Sequence, residues 1–196
     1  MTVYLTLEAL LAKVDDPNRT GCLKLLKNNE ALFRDTYGSV HNHQTWKGGY
    51  YDHIVDAINI GVQIYLALEK TNRELPFTLS DVILIIFLHD IEKPWKYQYN
   101  EDGEREIIPE LISKEAQHVF RASKLAEYGI FLNNMQRNAM LYAEGENSAY
   151  SPNERVMKEL GAVVHCADIL SARVFYNYPM ESNDPWIGAK RVNTTR

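Results

Sequence analysis

The chain has 196 residues, 45% hydrophobic and 24% charged, with a formal net charge of -5. That length and balance fit one folded domain with its own core and exclude a low-complexity or disordered chain. An acidic total argues against broad binding to nucleic-acid backbone, and only Cys22 and Cys166 occur, far apart and with no CxxC, which fits a reducing compartment.

The N-terminus, MTVYLTLEALLAKVDD, lacks a basic start followed by an apolar stretch, so no signal peptide is read there. Leu5 to Val14 reads as a short helix, and Asp16-Pro17 as the start of a second whose apolar positions Cys22, Leu25, Leu26, Leu32 and Phe33 repeat at helical spacing. Gly38 to Gly49 reads as a loop. Tyr50 to Glu69 carries the helical stripe Ile54, Ala57, Ile58, Gly61, Ile64 and Tyr65. After Pro76, Thr78 or Ser80 can cap a helix running to about Ile91, which Pro94 stops. Its apolar run, Val82 to Leu88, is far below the roughly 20 residues that cross a bilayer. A cytoplasmic protein with no membrane contact is therefore expected.

From Trp95 to Ile108, WKYQY and REII flank NEDG, a hairpin pattern. Ser113 to Tyr128 reads as a helix ended by Gly129, and Asn134 to Glu144 as another ended by Gly145. Ser151-Pro152-Asn153-Glu154 has the form of a capping box and predicts a last helix running to about Val174. Residues 179–196 are polar, with prolines at 179 and 185, and read as an irregular tail. The expected architecture is all-α, a single helical domain over residues 1–178 with a small β-hairpin insertion.

Ligand-type residues stand at three places on this frame. His53 lies near the start of one helix, His89 and Asp90 close another, and Asp168 sits in the last. Asp90 follows a strongly apolar run, where a carboxylate is costly unless something pairs with it. Two imidazoles and two carboxylates suit one divalent ion such as Mn, Fe, Co, Ni, Mg or Zn, and the absence of thiolate disfavours a structural zinc. Four protein ligands leave room for water and a substrate oxygen. Lys93, one turn beyond His89, can hold a phosphate as a point charge. His165 falls three residues before Asp168, on the same helix face. Trp46, Tyr50 and Tyr51 cluster near the expected mouth, where an aromatic can stack a base.

GGYYDH (48–53), LHDIEK (88–93) and HCADILSAR (165–173) together resemble the motif series of the HD-domain metal-dependent phosphohydrolase superfamily. The likeness covers about Phe33 to Phe175. Its nearest form is the HD module of certain bacterial 3′–5′ exoribonucleases, without their OB-type domain. The resemblance implies an HD-domain helical bundle with His53, His89, Asp90 and Asp168 on the metal. Asp90 and Lys93 would serve in catalysis, joined by His118 in KEAQHVFRASKLA, which is similar to a superfamily histidine facing the active site. It also implies a place near the site for His43, since the subgroup has a histidine upstream of the Gly-Gly pair. Members with a second metal often carry His-His where this chain has Ala143-Glu144, so one ion is expected, with Glu144 the oxygen ligand available to a second. Glu92 stands where the series has glycine. The expected substrate is a nucleotide or small nucleotide-like phosphoester. A nuclease or cyclic-nucleotide phosphodiesterase, and a non-catalytic metal- or nucleotide-binding protein, are the alternatives. An oligomer built through the hairpin or tail is compatible with the sequence.

Overall fold

The computed structural model describes residues 2–99, 105–178 and 184–189. The described residues form an all-α protein with one two-stranded hairpin. The helices are α1 (Leu7–Leu11), α2 (Asn18–Asp35), α3 (Gly49–Glu69), α4 (Leu79–Leu88), α5 (Lys93–Lys96), α6 (Lys114–Glu127), α7 (Asn134–Tyr142) and α8 (Glu159–Ile169). A π-helical turn, Leu170–Val174, prolongs α8.

α4 is the centre. Val82 through Leu88 are all buried, and a helix apolar on every side has to be wrapped by others. α3 and α8 do so, and α3 is itself buried from Gly49 to Val62. At their crossing a Cβ on Gly61 would stand 2.4 Å from Ile86 Cδ1, so glycine lets α3 lie against α4. α1 and α2 close the bundle on α3 and α7 packs on α8. Side-chain caps define several helix starts: Thr6 for α1, Thr78 with Asp81 for α4, Ser113 for α6 and Asn133 with Gln136 for α7.

Strands β1 (Tyr97–Tyr99) and β2 (Arg105–Ile107) pair antiparallel, Tyr97 opposite Ile107. The NEDG turn expected between them lies outside the described residues. Of the tail, residues 184–189 return to the N-terminus: the Trp186 ring meets Tyr4 edge-on at 5.1 Å, and the Tyr4 N–H donates to Ile187 O. That stretch is packed, which its polar composition did not suggest.

Two boundaries differ from expectation. The capping box at Ser151 starts no helix. Ser151 Oγ accepts the Asn153 N–H in a local turn, and α8 begins eight residues later at Glu159. Residues 152–155 are exposed and offer no apolar stripe to bury. The Met157 and Lys158 N–H groups go instead to Glu146 Oε1 and Asn138 Oδ1. α4 also stops earlier, at Leu88, so His89 to Glu92 form a turn, and Pro94 falls in the first turn of α5.

Candidate metal centre

His53 projects from the first turns of α3. The preceding loop is folded beneath that helix end: a Cβ on Gly49 would lie 1.9 Å from Gln44 O, and Gly48 takes φ +82°. The early stop of α4 turns His89 and Asp90 toward α3, and α8 presents Asp168 from the other side. His53 Nε2 is 3.2 Å from Asp168 Oδ1 and 3.9 Å from Asp90 Oδ2. His89 Nε2 is 3.2 Å from Asp90 Oδ2 and 3.4 Å from Asp168 Oδ1. One donor atom from each of the four falls within 4.8 Å of all the others, a group able to hold a metal ion.

The donors fit a divalent cation on further grounds. The Nε2 atoms of His53 and His89 are buried and have no hydrogen bond. His89 Nδ1 lies 2.7 Å from Ile86 O, an acceptor, so it carries the ring proton in the neutral form and leaves the Nε2 lone pair for a metal. His53 Nδ1 lies 3.0 Å from Ser171 Oγ. Neutral imidazoles with two carboxylates carry two negative charges, matching a dication. Burial pulls the His53 pKa down, which favours that neutral form, whereas at His89 the Asp90 and Asp168 carboxylates overcome burial and raise the pKa, so a cation there would displace a proton. Burial would raise Asp168, but the His53 and His89 rings facing it hold it well below the usual carboxylate range. Burial likewise opposes ionisation of Asp90, and Lys93 and His89 override it. Lys93 Nζ stands 2.6 Å from Asp90 Oδ2.

His43 is brought to this centre. Its ring centroid is 4.7 Å from that of His53, and its Nδ1 lies 2.5 Å from Gln44 Oε1. Burial, with the neighbouring His53 and Lys93, pushes its pKa down to about 4, so it is a neutral base at physiological pH. Gln44 was not anticipated. It is fully buried at φ +39°, and its Nε2 points to the Ser171, Phe175 and Tyr178 carbonyls at 3.2–3.4 Å.

Other expected residues go elsewhere. His118 is exposed on α6. It lines a cleft of about 700 Å³ with Leu125, Ile130 and Met140, and its charged neighbours are Arg121, Lys114 and Glu144 rather than the four ligand-type residues. Glu144 is paired with Lys114 at 2.6 Å and is not brought to the centre. His165 Nδ1 donates to Ala143 O at 2.8 Å, under Gly145, so it supports the α7–α8 contact. A second metal group is absent among the described residues. Tyr50 is 1% exposed and packs edge-on against Phe33 at 5.3 Å, so it belongs to the core and has no face for a base. Tyr51 is also buried, beneath the Arg34 guanidinium. Trp46 is half-buried and donates to Asp52 Oδ2 at 2.7 Å.

A second buried layer lies behind His89. Arg121 reaches in from α6 and donates to the His89 backbone O at 2.7 Å, and its Nε is 3.4 Å from Glu92 Oε2. Glu92 keeps an ordinary right-handed backbone, φ −76°, so nothing there requires glycine. Burial and the Asp90 charge raise its pKa, while Arg121 opposes them.

No family model, curated protein or solved structure matches the chain. None of the described helices is long and apolar enough to cross a membrane.

Proposed function

We propose that the protein is a metal-dependent phosphohydrolase of the HD-domain type, acting on a nucleotide or small nucleotide-like phosphoester. The observation that carries this reading is the convergence of His53 from α3, His89 and Asp90 from the turn after α4, and Asp168 from α8 on one buried point beside Lys93. The nitrogen-and-oxygen donor set suits Mn, Fe, Co, Ni, Mg or Zn, and one ion is proposed. When bound, the ion supplies Lewis acidity toward a phosphoryl oxygen and lowers the pKa of water.

The chain's own residues do the rest. His53, His89 and Asp168 fix the place of the reaction. Asp90 bridges that place to Lys93, whose ammonium is held ready for a phosphoryl oxygen. Burial alone would lower the Lys93 pKa, but Asp90 outweighs it and raises it to about 12, so the charge is permanent. His43, neutral and with Nδ1 tied to Gln44, has Nε2 available to accept a proton near the reacting group.

The test compares wild type with Asp90→Asn, chosen because alanine would leave more of the Lys93 pocket empty. Wild type should carry about one equivalent of divalent metal and release phosphate from at least one member of a nucleotide panel. Asp90→Asn should do neither while remaining folded by circular dichroism. Preferential cleavage of single-stranded RNA or of cyclic nucleotides would move the substrate to the nuclease or phosphodiesterase class. Bound metal with no turnover on any of these would make it a binding protein.

A further inference from the structure

We propose that Arg105 is a positioning residue of the site, acting on His43 through the loop that carries it, and that this contact gives the hairpin its role. The inference rests on the reading of His43 as the group that accepts a proton beside the cluster. That loop, residues 39–43, has no core of its own, since none of its residues is buried. Its ends are pinned where the Gly38 N–H donates to Gln44 O at 2.9 Å. Within it Ser39 is the hub. Ser39 Oγ accepts the Asn42 and His43 N–H groups, both at 2.8 Å, and donates to His43 O at 3.0 Å, which uses all that a hydroxyl can offer. The place of Ser39 therefore sets the place of the His43 backbone, and the His43 ring lies 4.7 Å from that of His53.

The hairpin grips this hub from outside. Arg105, in β2, donates from Nη2 to Ser39 O at 2.5 Å, a contact across 66 residues of sequence. Its guanidinium lies 4.3 Å from the ring centroid of Tyr37, just before the loop, and 5.1 Å from that of Tyr97. The strand register supplies the second ring: Arg105 pairs with Tyr99, so Tyr97 is its diagonal neighbour on the same face. A flat cation against two aromatic faces is held in one orientation. Nε and Nη1 are buried with no hydrogen bond, so all of its directed bonding goes to Ser39. Stripping a cation of water in this way is unfavourable for a surface hairpin by itself. β1 follows directly on α5, whose first residue is Lys93. Arg105 thus ties the loop that bears His43 to the element that bears the phosphate-binding cation.

The experiment follows metal-free wild type, Arg105→Met and Arg105→Lys by NMR. Phosphate release is then measured in the same proteins, in His43→Ala and in the Arg105→Met/His43→Ala double variant. Wild type should show a nuclear Overhauser contact between the His43 and His53 rings and slowed exchange of the Asn42 and His43 N–H groups. In Arg105→Met that contact should be lost and both groups should exchange at least about tenfold faster, with the α4 N–H groups as slow as in wild type. Arg105→Lys keeps the charge and a donor and should restore the contact. In turnover, Arg105→Met should lower kcat by about 10- to 100-fold, with KM and Co²⁺ affinity within about twofold of wild type, since it removes no group that binds substrate or metal. The double variant should be within about twofold of His43→Ala, because Arg105 acts through His43. An unchanged ring contact in Arg105→Met, a raised KM at constant kcat, or losses that multiply in the double variant would overturn the proposal. So would loss of the Tyr97–Ile107 pairing together with the ring contact, which would assign the effect to the hairpin as a whole. If wild type releases phosphate from no substrate, the reading of the site fails, and the ring contact still decides the clip: lost in Arg105→Met and regained in Arg105→Lys, it stands; unchanged in Arg105→Met, it fails.

Discussion

Replacing Arg121 by methionine should be one of the most damaging single changes outside the four ligand-type residues. Its guanidinium side chain is 8% exposed and the partner Glu92 side chain 2%. Removal strands a carboxylate in the core and leaves the His89 carbonyl without its donor. Breaking one half of a buried ion pair costs about 3–5 kcal/mol, and an unpaired buried carbonyl about 1–3 kcal/mol. The two overlap, and Glu92 can escape by protonation, so we expect a loss of about 3–5 kcal/mol in unfolding free energy. The sign with pH follows from Glu92. Its folded pKa is already raised by burial and Asp90, and without Arg121 it rises further. An acid whose folded pKa lies above its unfolded value destabilises the fold only once the unfolded chain ionises. The Arg121→Met deficit should therefore be smallest below about pH 4, where the unfolded glutamate is protonated, and should grow toward pH 8. Urea titrations of metal-free wild type, Arg121→Met, Glu92→Gln and the double variant measure this. The double should be less unstable than the summed singles by about 2 kcal/mol or more. Additivity within about 0.5 kcal/mol would refute the coupling, and with it the claim that this pair holds the His89–Asp90 turn.

Gly49→Ala should lower stability by about 1–3 kcal/mol and weaken metal binding, because the added methyl would collide with Gln44 O and dislodge the loop carrying His43; an unchanged melting temperature would remove the tight-loop argument. Asp56 has its pKa pushed up to about 7, by burial first and then, against the Ser171 bond, by Asp184 and Asp52. That destabilises the metal-free fold increasingly from about pH 4 to pH 7, so Asp56→Asn should be neutral at pH 4 and stabilising at pH 8, by an amount bounded on the order of 4 kcal/mol. Asp168 has the opposite sign, since its folded pKa is depressed: its contribution is present above about pH 4 and lost as pH falls. Asp168→Asn should therefore flatten the acid limb of the metal-free stability profile, measured by denaturant unfolding across pH 2–6.

The helical frame was legible because its signals are local. Apolar stripes at helical spacing mark α2 and α3, and Thr78 and Ser113 sit where caps are needed. The cluster was legible because a His-Asp pair directly after seven apolar residues is anomalous unless it is used. The errors have one physical source: a sequence shows which helix a residue is on more readily than which way it faces. His118 is on the expected helix, but Gln117 and Arg121, four apart and both buried, define the inward face, and His118 lies about 100° round from Gln117. Tyr50, Tyr51 and Trp46 stand close together in sequence, yet α3 buries the two tyrosines and leaves only Trp46 half-buried. The Ser151 capping box was sound local chemistry attached to a segment with nothing to bury.

What escaped the sequence altogether is the layer behind the four ligand-type residues, and the reason is geometric. His53 and Ser171 are 118 residues apart, and Glu92 and Arg121 lie on separate elements. Neither pair has a spacing that could reveal it. Yet both lie against the same cluster from opposite sides: Ser171 meets the ring of His53, while Arg121, paired with Glu92, holds the backbone of His89. A cluster of four side chains on two helices and a turn has many soft dihedral angles, and a displacement of about 1 Å is enough to spoil a catalytic geometry. The buried carboxyl of Glu92 is unfavourable for the fold alone, so its place beside the His89–Asp90 turn is what a site built for rigidity requires.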